Sequence, residues 1–174
     1  MPDIRQRYPT ANAETLALTI TIASLATDTN LRAGRQCTTI NNTTNVDLDH
    51  LISGKIRGGT GPTAGRPIEL WAFAPWLINS GGTASWPDTL AGTDANVTIT
   101  SDNVKFSMLR LVWSTLVDAT SDRDYFVPPT SIASLFGDMP AQWGLFLVQN
   151  TGVVLNATGG NHALYYQRIQ RQSV

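Results

Sequence analysis

Lysine and glutamate are almost missing from this chain. Its 174 residues hold only Lys55 and Lys105 as lysines, and only Glu14 and Glu69 as glutamates. Charged residues make up 14% of the sequence, against roughly 25% in an average domain. Soluble helical bundles and coiled coils cover their outer faces with Glu and Lys, so this composition argues against both. Cysteine occurs once, at Cys37, which excludes a disulfide within the chain. Two histidines, His50 and His162, and one cysteine cannot build an ordinary zinc site without carboxylate help. No stretch approaches the ~18 apolar residues of a membrane-spanning helix. The opening segment Met1–Pro9 has no apolar run, so it does not read as a secretory signal. The net charge of −1 gives no electrostatic footprint for nucleic acid.

Threonine and asparagine take the place of the missing charges, with 22 Thr and 11 Asn. Thr suits strands, while Asn, Gly and Pro suit turns. With 42% hydrophobic residues the chain can bury a core, and the composition points to an all-β fold. Residues 14–25 alternate Leu16, Leu18, Ile20 and Ile22 with small residues, which predicts a strand. Residues 32–40 predict a more polar strand suited to a sheet edge. Strands are also expected over 48–57, 67–74, near Val97 and Ile99, over 142–149 and over 161–171. Val104, Phe106 and Met108 alternate before the phase slips, which predicts a strand with a bulge near Met108. Residues 75–95 read as one long loop, and residues 118–130 as an Asp-rich stretch containing Pro128-Pro129. One short helical turn is expected from Thr130 or Ser131 through Phe136, stopped by Gly137. The total is about eight strands at the spacing of a β-sandwich. Residues 1–13 read as an extended arm and 14–174 as a single β-sandwich domain.

Few residues point to chemistry. The glycines at 59, 61 and 65 have the wrong spacing for a phosphate loop and lead into a strand. Asp118, Asp122 and Asp124 are close enough to raise Ca²⁺ binding, but Arg123 sits among them and the spacing is not that of an EF-hand. His50 shares a strand face with Ile52 and Ile56, which favours a hydrogen-bonded structural role. No Gly-x-Ser-x-Gly elbow exists, and paired carboxylates would have to come almost wholly from Asp. No catalytic residue, metal or cofactor is therefore assigned. Trp113 and Trp143 lie in apolar runs and read as core. Trp76 and Trp86 lie in the long loop, where they can fold back over the sandwich, anchor a protein interface or stack on a sugar.

One group of segments resembles a known family. Gly58-Gly-Thr-Gly-Pro-Thr-Ala64 leads into Ile68-Glu-Leu-Trp-Ala-Phe-Ala74, then Leu90-Ala-Gly-Thr-Asp94 and Leu109-Arg-Leu-Val-Trp113. Asp118–Phe126, Ser131–Gly137, Gln142-Trp-Gly-Leu-Phe146, Asn150-Thr-Gly152 and Thr158-Gly-Gly-Asn161 complete it. Together these resemble a family of small virion structural proteins of tailed bacteriophages. The resemblance implies a jelly-roll-like β-sandwich and carries no catalytic residues. The function expected from it is capsid decoration: a cement protein on the capsid exterior, made in the host bacterial cytoplasm, that binds and stabilises the major capsid shell. Its partners would be the major capsid protein and copies of itself, as a dimer or trimer, with no membrane and no direct nucleic acid contact. Ile4, Arg5, Arg7 and Tyr8 of the arm, with Trp76 and Trp86, are the candidate partner-binding residues. The alternative is a tail or fibre component that binds host surface glycans.

Overall fold

The computed structural model describes residues 4–7, 15–79 and 82–173, and its regular structure is almost all extended. In chain order the strands begin with β1 (Ile4–Arg7), β2 (Thr15–Ala17), β3 (Ala33–Gln36), β4 (Ile40–Asn41) and β5 (Asp49–Arg57). Next come β6 (Pro67–Phe73), β7 (Leu77–Ile78), β8 (Ala84–Ser85), β9 (Ala95–Thr98) and helix α1 (Asp102–Met108). The chain continues through β10 (Arg110–Leu116), β11 (Asp124–Ser131), helix α2 (Ile132–Phe136), β12 (Gln142–Gln149) and β13 (Ala163–Ser173). One sheet has the order β1-β13-β5-β11, with β2 also on β13. The second has the order β10-β6-β12-β3-β9, with β4 also on β12, and β7 and β8 form a separate hairpin. Every pairing is antiparallel. The chain is all-β, as its composition implies.

The main core lies between the two sheets. Ile52 and Ile56 of β5, Tyr125 and Val127 of β11 and Leu164 of β13 are clustered with Ile68, Leu70 and Ala72 of β6 and Trp143, Leu145 and Leu147 of β12. The other face of the second sheet is buried too. Trp71 and Phe73 of β6 and Phe146 and Val148 of β12 lie under Leu90, Ile99 and Leu109, with Val104 of α1 and Trp86 packed against them. This double burial is why residues 142–149 form a continuous apolar run instead of alternating.

Several segments depart from the pattern read in the sequence. Of the described residues 15–25 only Thr15–Ala17 is strand; the ladder ends with Leu18 N–H donating to Leu164 O. Beyond it the chain turns, with Ser24 at φ 56°, and buries Leu18, Ile22 and Leu25 instead of a strict alternation. β3 is not an edge strand but lies between β12 and β9. Its polar residues have partners there: buried Gln36 accepts from Ala91 N–H and Arg35 pairs with Asp94. Val104–Met108 is helix, not strand. Ser101 accepts from Val104 N–H as its N-cap, and the bulge falls later, between Leu111 and Trp113. Residues 75–95 contain the β7–β8 hairpin, and Pro128-Pro129 lie inside β11. β11 ends its sheet and its register shifts between Val127 and Thr130, so two missing N–H donors are tolerated. α2 forms as the sequence predicts, capped by Ser131 and ended by Gly137 in the left-handed region. With α1 it makes two short helices instead of one, and the strand segments number thirteen among the described residues.

β3 lies so close to β12 that a Cβ at Gly34 would sit 2.1 Å from Leu147 O and 2.6 Å from Val148 Cγ1. Backbone cannot yield there as a side-chain tip does. Gly34→Ala is expected to destabilise the fold by about 1–3 kcal/mol or more, measured by urea unfolding.

Candidate functional site

A buried polar chain closes one end of the sandwich. The Asn42 side-chain amide clasps the Asp47 backbone: Asn42 Nδ2 donates to Asp47 O at 3.1 Å, and Asp47 N–H donates to Asn42 Oδ1 at 2.8 Å. This aims the Asp47 carboxylate at β13. Arg168 donates through Nε at 2.7 Å and Nη2 at 2.9 Å, and Gln170 Nε2 donates at 2.9 Å. His50 Nε2 lies 2.9 Å from the same carboxylate. On the far side of the ring, Trp143 Nε1 donates to His50 Nδ1 at 2.9 Å. The tautomer follows from these partners, because a Trp N–H only donates, so Nδ1 is the acceptor and Nε2 carries the proton. Tyr166 packs on the ring, 4.9 Å between centroids.

Burial alone would raise the Asp47 pKa, but the hydrogen bonds from Arg168, His50 and Gln170 outweigh it and hold the carboxyl below its ordinary range. Burial acts first on His50 as well and keeps it below its usual value, against the pull of Asp47. An Asp–His pair can serve a nucleophile, but here the second ring nitrogen is occupied by Trp143. The expected structural role of His50 is the one its contacts describe.

A second buried charge fixes α1 to the second sheet. Lys105 is 2% exposed. Its Nζ donates to Glu69 Oε2 at 2.6 Å and to Leu31 O at 2.8 Å, and lies 4.7 Å from the Trp71 ring centroid. Trp71 Nε1 donates to the same Glu69 oxygen at 2.9 Å.

The three aspartates singled out in the sequence go to separate partners. Asp118 pairs with Arg123, and Asp122 accepts from Asn156 Nδ2 at 2.7 Å. Asp124 takes Arg57 at 2.6 Å and 3.1 Å and Lys55 at 3.1 Å. The Arg57 guanidinium holds its pKa at about 2. Among the described residues no three His, Cys, Asp or Glu side chains converge. His162 joins the end of β5 to the loop at Asn156, accepting from Arg57 N–H at Nδ1, with its Nε2 2.8 Å from Asn156 O. Cys37 is buried, and burial pushes its thiol up to about 12. One hollow, about 410 Å³, is lined in part by Thr21, Asp28, Arg35 and Asn96. Its charges are occupied: Asp28 accepts from Arg32 N–H and Ala33 N–H, and Arg35 pairs with Asp94.

The candidate partner-binding residues separate. Ile4, Arg5 and Arg7 lie in β1, which pairs with Gln170–Ser173 of β13, while Tyr8 lies outside the described residues. Trp76, just before the β7–β8 hairpin, is 64% exposed. Trp86 instead folds back, its ring edge-on to Phe73 at 5.7 Å and against Gly92. The residues that sequence reasoning missed are Phe106, Leu111 and Leu116. Leu111 stands opposite Trp71 and Leu116 opposite Pro67 on β10, the last strand of its sheet, and the Phe106 ring lies 5.6 Å from Trp71. All three are exposed, on or beside a strand that ends its sheet among the described residues. Only the outward position of these residues distinguishes them from core, and an apolar letter does not carry that information.

The fold thus defines an all-β protein of two packed antiparallel sheets whose described charges are largely paired within the molecule. No protein-family model, curated protein or solved structure matches the chain.

Removing Glu69 would leave the Lys105 ammonium buried without a counter-charge. Glu69→Ala is expected to cost about 3–5 kcal/mol. Lys105→Met removes the buried charge itself and leaves Glu69, 18% exposed in its side chain and still bonded to Trp71, closer to water. It is expected to be the milder change, by comparison of their denaturation midpoints.

Proposed function

We propose that the chain is a bacteriophage virion structural protein, a capsid decoration protein that binds the major capsid shell from outside and stabilises it. The observation that carries this reading is the exposure of Phe106, Leu111 and Leu116 on or beside β10, the end strand of its sheet among the described residues. An edge strand offers a row of backbone donors and acceptors, and apolar side chains beside it add burial on contact. Exposed Trp76 supplies a second anchor of the kind that dominates binding energy. Neighbouring copies, as a dimer or trimer, would span seams between capsid subunits. Shell stabilisation of this kind is binding, so it calls for no reacting group.

The exposed ring of Trp76 also favours the second reading, a tail or fibre component stacking on a host glycan. The two separate by experiment. Under the capsid reading, heads lacking the protein take it up in stoichiometric amount and resist heat better. Leu111→Lys with Leu116→Lys is expected to weaken that uptake by about tenfold or more while the free protein stays folded. Purified DNA-filled heads without the protein would sink the capsid reading. Binding to a glycan array that Trp76→Ala abolishes would favour the fibre reading.

A further inference from the structure

We propose that the Asp47–His50–Trp143 chain is an acid-released latch on the β1–β13 strand pair. The latch works only with a neutral ring. Trp143 offers an N–H and nothing else, so Nδ1 of His50 must keep a free lone pair. Adding a proton there sets two N–H donors head to head at 2.9 Å. Neither side chain has room to turn to water, since His50 is 1% exposed and Trp143 is 0% exposed. One of them must leave its place.

The charged and titratable groups around the ring decide what moves. Asp47 faces it from the connection before β5, and Arg168 and Tyr166 face it from β13. Asp49, the preceding residue of β5, is turned to the backbone N–H of His50 and of Ala133 in α2. Trp143 is the contact from β12. Asp47 attracts an imidazolium and Arg168 repels it. Asp47 is already shared between His50, Arg168 and Gln170. It can follow a displaced imidazolium only by releasing a bond to β13. If it stays with β13, the imidazolium is left buried without a counter-charge. Gln170 is also the β13 residue registered with Arg7 of β1. The end of β13 that carries β1 is therefore the first to loosen.

The sign is fixed by burial, which keeps His50 below its ordinary 6.5. The unfolded chain takes up its proton first as pH falls. The latch contributes fully above that ordinary value and is lost as pH drops below it toward the depressed folded value.

Hydrogen–deuterium exchange on the full chain, corrected for the intrinsic effect of pH, tests this between about pH 8 and about pH 5. Segments 4–7 and 170–173 are expected to lose protection by about tenfold, while β6 and β12 keep theirs. His50→Gln retains one acceptor and one donor but does not titrate, so its two segments should stay protected at the lower pH. His162→Gln should behave as the unsubstituted chain does. A response that persists in His50→Gln overturns the latch, and so does unchanged protection or an equal loss in β6 and β12. If His50→Gln does not fold, proton–nitrogen NMR of the unsubstituted chain decides. The His50 ring must hold its proton on Nε2 at the higher pH and gain a second over the interval in which the two segments open. A ring that titrates while they stay protected overturns the proposal.

Discussion

Strand β12 has almost no solvent face. Every residue from Trp143 through Gln149 is buried, with the first sheet on one side and α1 and the Trp86–Ile99 connection on the other. A strand enclosed this way cannot leave any polar group to water. Gln149 meets the demand fully: its amide donates to Leu25 O and Val153 O, and its oxygen accepts from Thr151. Trp143 meets it with one bond to His50. Neighbouring β6 meets it by setting Glu69 under Lys105 and Trp71. Three layers around β6 and β12 therefore determine where polar partners must come from. They come from the turns at 25–28 and 151–153, from His50 of β5 and from α1.

That constraint gives the scarcity of charge a structural meaning. One of the two lysines, Lys105, lies buried against Glu69, and the other, Lys55, shares Asp124 with Arg57. Arg35 is committed to Asp94 and Arg168 to Asp47. Charge here joins elements distant in sequence more than it solvates surfaces. The exposed pairs contribute little individually, whereas the buried ones are expensive to break. What faces water is then largely Thr, Asn and exposed apolar residues, a surface with few charges to strip away on contact with another protein.

Much of the fold is legible in the sequence wherever one face alternates. His50, Ile52 and Ile56 mark β5, and the apolar run at 142–149 marks a buried strand. The end of α2 is legible because its caps, Ser131 and Gly137, are local signals. The failures share a cause. Val104, Phe106 and Met108 alternate like a strand, yet a helix forms because Ser101 caps it and Lys105 finds Glu69 from the adjoining sheet. β3 looks polar enough for an edge, yet it lies inside because Asp94 and Ala91, more than fifty residues away, satisfy Arg35 and Gln36. Leu16 and Ile20 do not repeat the burial of Leu18 and Ile22, since the chain turns away once β13 is left. In each case the deciding partner is remote in sequence. The candidate site shows the same limit. His50 was legible as a core histidine from its strand face, but its partners Asp47, Trp143 and Arg168 come from three other segments.

The buried polar chain also answers a problem of register in β13. One row is Leu164, Tyr166, Arg168 and Gln170, and the other includes exposed Tyr165 and buried Ile169. The apolar contrast between the two rows is poor, so burial alone specifies the pairing weakly. A one-residue slip would cost little in hydrophobic area. It would, however, turn Arg168 and Gln170 away from Asp47 and leave that carboxylate, 4% exposed as a residue, unmatched. Arg168 stands directly opposite His50 in the observed register. The same contacts that fix β13 then fix where β1 can pair, because Arg7, the last residue of β1, stands opposite Gln170. A buried polar cluster of this kind penalises misalignment, because breaking it strands a buried charge. That dependence is also what makes the strand pair responsive to the protonation of one ring.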